Sequence, residues 1–178
     1  EAQAKMPENV TARTFHSLAY KSTPYQITRR VALKETPRDF INRHNLKDIY
    51  NVKLTIPVVG GSKNAVCMIS AYRLRFLILE SLKYYCRSDS DKFTPTLVME
   101  AINKHEPNIS EQDKQTILRQ IYPVATDLML DYFSPNGIYP LNDFHDIYLK
   151  FWALTKPVIH ADFIMFDEAQ DADPIMLS

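Results

Sequence analysis

Asp167 and Glu168 stand side by side at the end of an apolar run, in the string Phe163 to Asp171, FIMFDEAQD. Two adjacent carboxylates at the C-terminal end of a buried strand suit phosphoryl transfer. The first can hold a magnesium ion, directly or through water, and the second can orient and deprotonate an attacking water. In an open α/β sheet, ligands sit outside the carboxyl ends of the strands, where these two side chains would emerge. The alternative is that both acids cap the helix or turn that follows by satisfying its free N–H groups. The whole string weighs against that, because a prespecified D-E-A-Q arises by chance in about one chain in a thousand of this length. An absence offsets it. No G-x-x-x-x-G-K-[ST] loop occurs, and three glycines in 178 residues leave little from which to build a Gly-rich phosphate cradle.

Other chemistry-bearing residues are scattered. His145, His160 and Asp162 lack the spacing of metal ligands. Arg73, Arg75, Lys83 and Arg87 with Tyr84 and Tyr85 could form a basic, aromatic nucleic-acid face, or be the solvated and core faces of one helix. Asp167, Glu168, Asp171 and Asp173 could surround metal in a self-contained phosphohydrolase, but four acids within seven residues do not all face one point, and no His stands near them.

The elements that must position these groups read mostly as helices. Glu1 to Met6 reads as a helix tail stopped by Pro7, followed by a β-prone segment from Val10 to Thr14. Ser17 to about Tyr25 could begin a helix that Pro24 ends. Thr36 is a candidate N-cap, with Pro37 at the first helical position and Asp39 in the first turn. Lys53 to Val59 and Ala65 to Ile69 flank Gly60-Gly61-Ser62 and suggest a small hairpin, with Pro57 arguing against a central strand. Ser70 can cap a long helix through Tyr85 with Leu74, Leu77, Ile78 and Leu82 on one face, and Pro95 to His105 forms another. Ser110 and Asp113 form a capping pattern ahead of a stripe running from Ile117 to Tyr132, where Pro123 predicts a kink or break. Asn142 can cap a last helix carrying Phe144, Ile147, Tyr148 and Phe151, with Trp152 as a core anchor, before Pro157 and the apolar strand Phe163 to Phe166.

Composition sets loose bounds. Hydrophobic residues make up 46% and charged residues 24%, enough apolar surface for a core, and 21 basic residues balance 21 acidic ones, so net charge gives no argument for a nucleic-acid partner. Cys67 and Cys86 read as buried reduced thiols rather than a disulfide framework or zinc site. No stretch reaches the ~18 apolar residues of a membrane span, and the polar N-terminus lacks the pattern of a signal peptide, so a cytoplasmic location in a bacterium, or a nuclear one in a eukaryote, is expected. The start at Glu1 rather than Met, and the end at Ser178 just past the acidic loop, read as a piece of a longer chain.

FIMFDEAQD resembles the Walker B segment, or motif II, of the UvrD/Rep-type superfamily 1 DNA helicases, whose usual form is D-E-x-Q-D. Arg13-Thr14-Phe15-His16-Ser17 resembles the T-x-H segment of the same first motor domain. The flanks Glu1 to Tyr20 and His145 to Leu154 look most like the F-box DNA helicase branch and its bacterial relatives, although no F-box-like segment is present. Lys21 to Leu141 matches by position and helical character alone. The resemblance implies that Asp167 supports Mg2+, Glu168 activates water, Gln170 senses ATP and links its state to DNA, and Asp171 completes the motif. It also implies that Thr14 and His16 face single-stranded or partly duplex DNA, where a hydroxyl and an imidazole can donate to phosphates; a structural role for His16 is the alternative.

The expected fold is mostly α: a helical insert subdomain flanked by short strands of an incomplete RecA-like α/β domain. Residues 1–20 would be one edge of that domain, 21–156 the insert, and 157–178 the Walker B strand and its following loop. The function expected of the parent is ATP-driven DNA translocation and unwinding, with the rest of the motor as partner. Without the phosphate-binding loop, the isolated chain is expected to be inactive. A non-enzymatic helical module that binds DNA or protein is the competing expectation.

Overall fold

The computed structural model describes residues 6–47, 53–56, 65–142, 144–167 and 169–177, giving the backbone alone for 53–56, 65–67 and 171. The expected helix tail at residues 1–5 and the Gly60-Gly61-Ser62 turn with Pro57 lie outside these residues. The protein is mostly helical, and its helices begin where local chemistry allows. Thr14 Oγ1 accepts from the Ser17 N–H to start α1 (Phe15–Ser22), which ends before Pro24, and a single turn, α2 (Tyr25–Thr28), follows. Thr36 caps α3 (Pro37–Arg43), with Pro37 opening it and Asp39 in its first turn. Ser70 caps α4 (Ala71–Arg87), Pro95 opens α5 (Pro95–His105), and Ser110 with Asp113 caps α6 (Glu111–Tyr132). The last helix is α7 (Asp146–Leu154). Between α3 and α4, β1 (Lys53–Ile56) pairs antiparallel with β2 (Ala65–Met68), Lys53 opposite Met68 and Ile56 opposite Ala65.

Packing radiates from α4, which touches α3, α5, α6 and α7, while α1 lies against α7. Its buried stripe of Leu74, Leu77, Ile78, Leu82 and Tyr85 meets Val98 and Ile102 of α5 and Ile117, Ile121, Ala125 and Leu128 of α6 in one core. Each Leu, Ile or Val among them contributes roughly 1.5–3 kcal/mol when removed from water.

Four sequence expectations need correction. α6 does not break at Pro123 but runs on as one helix of 22 residues. The ring removes one backbone hydrogen bond, yet Ile121, Ala125 and Leu128 on either side are fully buried and hold the helix in place. Asn142 does not cap the last helix. Its backbone sits at φ 50°, and its side-chain Oδ1 accepts from the Glu35 N–H at 2.6 Å, tying the segment before α7 to the segment before α3, while His145 occupies the N-cap of α7. Val10 to Thr14 is not a strand, and neither is Phe163 to Phe166, so the flanking strands expected of a RecA-like domain are not found among the described residues. A strand exists by pairing with a neighbour, and neither segment pairs with a strand among the described residues.

Two buried cations brace the helices. The Arg30 side chain is 2% exposed and grips the end of α6: it donates to Asp131 Oδ1 at 2.9 Å and to the carbonyls of Tyr132 at 2.9 Å and Ser134 at 3.0 Å. Lys150 of α7, fully buried, donates to the carbonyls of Ser88 at 2.8 Å and Ser90 at 2.6 Å, and its ammonium lies 4.4 Å from the Tyr85 ring centre. Burial lowers the Lys150 pKa and raises those of the Cys86 thiol and of Tyr85, the last to about 12. No helix among the described residues is long and apolar enough to cross a membrane.

Candidate functional site

The two segments singled out in the sequence lie together. α1 packs on α7, and Phe15, between Thr14 and His16, meets Phe166, immediately before Asp167, edge to face with ring centres 4.8 Å apart. An aromatic pair of this geometry adds about 0.5–1.5 kcal/mol beyond its buried area. It joins positions 151 residues apart, and no periodicity in the sequence announces it.

Each named residue has a definite place. Thr14 is exposed and uses its Oγ1 as the acceptor that caps α1, leaving its hydroxyl proton for another partner. His16 is engaged within the protein: its Nε2 stands 3.4 Å from Asp146 Oδ1, its ring is edge-on to Tyr148, and 36% of its side chain remains exposed. Asp167 sits exposed in the turn after Phe166. Gln170 follows in a 3-10 turn, Ala169–Asp171, with its residue exposed. Glu168 lies outside the described residues, and of Asp171 the backbone alone is described. The apolar residues ahead of the acids face outward, with Phe163 75%, Ile164 63% and Met165 87% exposed.

A further link runs through Asp146, which no motif singled out. Asp146, in the first turn of α7, takes His16 on one oxygen and Arg87 Nε of α4 on the other at 2.9 Å. Arg87 Nε also stands 3.8 Å from Asp173, two residues past the motif, where Ile175 is buried and anchors the 3-10 turn Pro174–Met176. The hydrogen bond to Asp146 raises the Arg87 pKa further. The chain His16, Asp146, Arg87, Asp173 therefore ties the Thr14–His16 segment to the loop after Asp167 through helices α4 and α7. Acid in a first helical turn was the one sequence signal for Asp146, and it says nothing of a partner 59 or 130 residues away.

The remaining candidates separate. Arg73 is committed to Glu106 and to the His105 carbonyl at 2.6 Å, Tyr84 lies under Lys104, and Tyr85 is a core residue donating to the Asp91 carbonyl at 3.3 Å. Cys86 is buried and free. His145 contacts the Tyr148 hydroxyl through Nδ1 at 3.3 Å, whereas His160 and Asp162 are exposed. Among the described residues, no three His, Cys, Asp or Glu side chains converge as a metal site.

Compared with protein-family models, with curated proteins and with solved structures, the chain matches none.

Proposed function

We propose that this chain is a piece of the first motor domain of an ATP-dependent DNA helicase of the UvrD/Rep type: the helical insert together with the T-x-H segment and the Walker B edge. The observation that carries the reading is the contact of Phe15 with Phe166. Two short motifs found separately in sequence meet in space, at the start of α1 and at the residue before Asp167. The outward-facing Phe163, Ile164 and Met165 add support, since exposed apolar side chains suit a strand that other strands and helices cover.

In this reading Asp167 holds Mg2+, which would neutralise charge on the phosphates of ATP, and Glu168 takes the proton of the attacking water. Gln170 reports the nucleotide to the DNA side, where Thr14 and His16 stand. The path from the acidic loop to His16 is the ion-paired chain through Arg87 and Asp146. His16 makes its DNA contact with the exposed part of the ring.

ATP turnover tests the proposal. The 178-residue chain is expected to hydrolyse ATP no faster than background, because it supplies no phosphate cradle. A longer natural chain containing it is expected to show DNA-stimulated, magnesium-dependent turnover that falls roughly 100-fold or more in Glu168→Gln, the loss expected for a general base. Undiminished turnover in that variant, or a longer chain with no phosphate-binding loop, would sink the reading.

A further inference from the structure

An asparagine followed by a glycine can modify itself. Of the chain's asparagines, Asn136 alone precedes a glycine, and it lies exposed in the turn that joins α6 to the segment before α7. The reaction needs only water. The Gly137 backbone nitrogen, having given its proton to hydroxide, attacks the Asn136 side-chain carbon Cγ. A C–N bond forms, the Cγ–Nδ2 bond breaks, and Nδ2 takes a proton from water and leaves as ammonia. Water then opens the resulting succinimide at one of its two carbonyls and leaves either Asp or isoaspartate at 136. Gly137 suits the attack because it has no Cβ to obstruct its nitrogen, and neighbours in the chain react without having to meet.

The fold holds the reaction back. The Gly137 N–H is donated to the Ser134 carbonyl at 3.0 Å and the Asn136 N–H to Ser134 Oγ at 3.1 Å, closing a tight turn with Pro135 and Asn136 at its centre. Ser134 is itself fixed, since Arg30 donates to its carbonyl at 3.0 Å. Gly137 is wedged against the Asp131 carbonyl oxygen and the Arg30 guanidinium, where even a Cβ would overlap. Beyond it, the N–H groups of Ile138 and Tyr139 donate to the Asp131 carboxylate at 2.8 and 3.1 Å. Attack requires the Gly137 nitrogen to lose the proton it shares with Ser134 and to swing toward Cγ, and neither happens while these bonds hold. The side chain is exposed but its nucleophile is locked, so opening of the turn, not access of solvent, sets the rate.

We propose that Asn136–Gly137 is a self-modifying site gated by the Arg30 brace, converting to Asp and isoaspartate when the turn opens. The isoaspartate form cannot close the turn again. Its backbone runs through Cβ and Cγ and is longer by a single atom, and Gly137 has no room to shift past Asp131. Arg30 then loses the Ser134 carbonyl, and a transient opening becomes permanent. The site rests on this turn and stands whether or not Asp167 and Glu168 serve hydrolysis.

The test is incubation of the 178-residue chain at mildly alkaline pH, followed by peptide mapping with electron-transfer mass spectrometry, which reads the gain of a dalton at 136 and separates Asp from isoaspartate. The same chain unfolded in guanidinium chloride is the reference. Conversion is expected to be about tenfold or more slower in the folded chain, the factor set by the hydrogen bonds that must open first. Ser134→Ala removes the acceptor of the Asn136 N–H and is expected to speed conversion in the folded chain about threefold, with its circular dichroism unchanged. Asn136→Gln should abolish conversion at this step. The isoaspartate form, separated by chromatography, is expected to unfold at lower urea than the Asn form, whereas Asn136→Asp, which keeps the backbone path, should unfold with it. No conversion at 136 in the unfolded chain, equal rates folded and unfolded, no faster conversion in Ser134→Ala, or the same urea midpoint for the isoaspartate and Asn forms would each overturn the proposal.

Discussion

Replacing Arg30 by Met is expected to cost this protein about 4 kcal/mol. Arg30 is 2% exposed and holds the end of α6 with five donor contacts: Asp131 Oδ1 at 2.9 Å and the carbonyls of Tyr132, Ser134, Asp131 and Tyr139 between 2.9 and 3.4 Å. Removing one partner of a buried ion pair costs about 3–5 kcal/mol, because the other charge stays buried without compensation. Asp131 moderates this, since it is 15% exposed and keeps the N–H groups of Ile138 at 2.8 Å and Tyr139 at 3.1 Å. The helix-end carbonyls push the other way, because Met offers them no donor and each one left buried costs about 1–3 kcal/mol. Water reaching some of them brings the sum back to about 4 kcal/mol. The assay is urea unfolding followed by circular dichroism and Trp152 fluorescence. With an m-value of about 2 kcal/mol/M, the midpoint should drop by about 2 M. Asp131→Asn should cost less, about 2 kcal/mol, and the double variant should fall short of the sum by 1 kcal/mol or more. A loss below about 1 kcal/mol for Arg30→Met would refute the claim that this guanidinium closes the helix end.

Gly137 lies against the same brace, where an added Cβ would overlap the Asp131 carbonyl oxygen and the Arg30 guanidinium. Gly137→Ala should therefore lower stability by about 2 kcal/mol, measured by the same unfolding curves. His44 is held below its ordinary pKa of 6.5, first by burial and then by Arg43, with Asp127 and Asp131 opposing. Its ring packs on Phe40 and Tyr139, and its Nε2 has no hydrogen-bond partner among the described residues. The unfolded chain then takes up a proton near 6.5 that the folded chain accepts only at lower pH, so stability should fall as pH drops from 6.5 through the folded value. That fall should shrink in His44→Gln. Ile164→Asn should change the stability of this chain by less than about 0.5 kcal/mol, because the side chain is 63% exposed. A large loss would mean that Ile164 already packs within the chain.

Helix starts were legible because their causes are local. Thr36, Ser70 and Ser110 each accept from the N–H three residues on, and Pro37 and Pro95 open helices at the position where a missing N–H costs nothing. Asn142 shows the limit of such reasoning. Its type suits a cap, but the N–H it serves belongs to Glu35, more than a hundred residues away. Pro123 shows another limit, since a local rule predicted a kink or a break, and burial of the flanking turns outweighed the break.

The acidic string and the T-F-H-S segment could be singled out from residue types and their order alone, because a short motif carries its chemistry in local spacing. Their meeting could not. The contact of Phe15 with Phe166 and the Asp146 carboxylate between His16 and Arg87 depend on how α1, α4 and α7 pack. The strand proposed for Phe163 to Phe166 shows the converse. Its apolar pattern is written in the sequence, but a strand needs a partner backbone for its N–H and C=O groups, and the tertiary structure supplies none among the described residues. Local hydrogen bonding and side-chain period are encoded residue by residue, whereas ion pairs, ring contacts and sheet pairing between distant residues exist only once the core has brought them together.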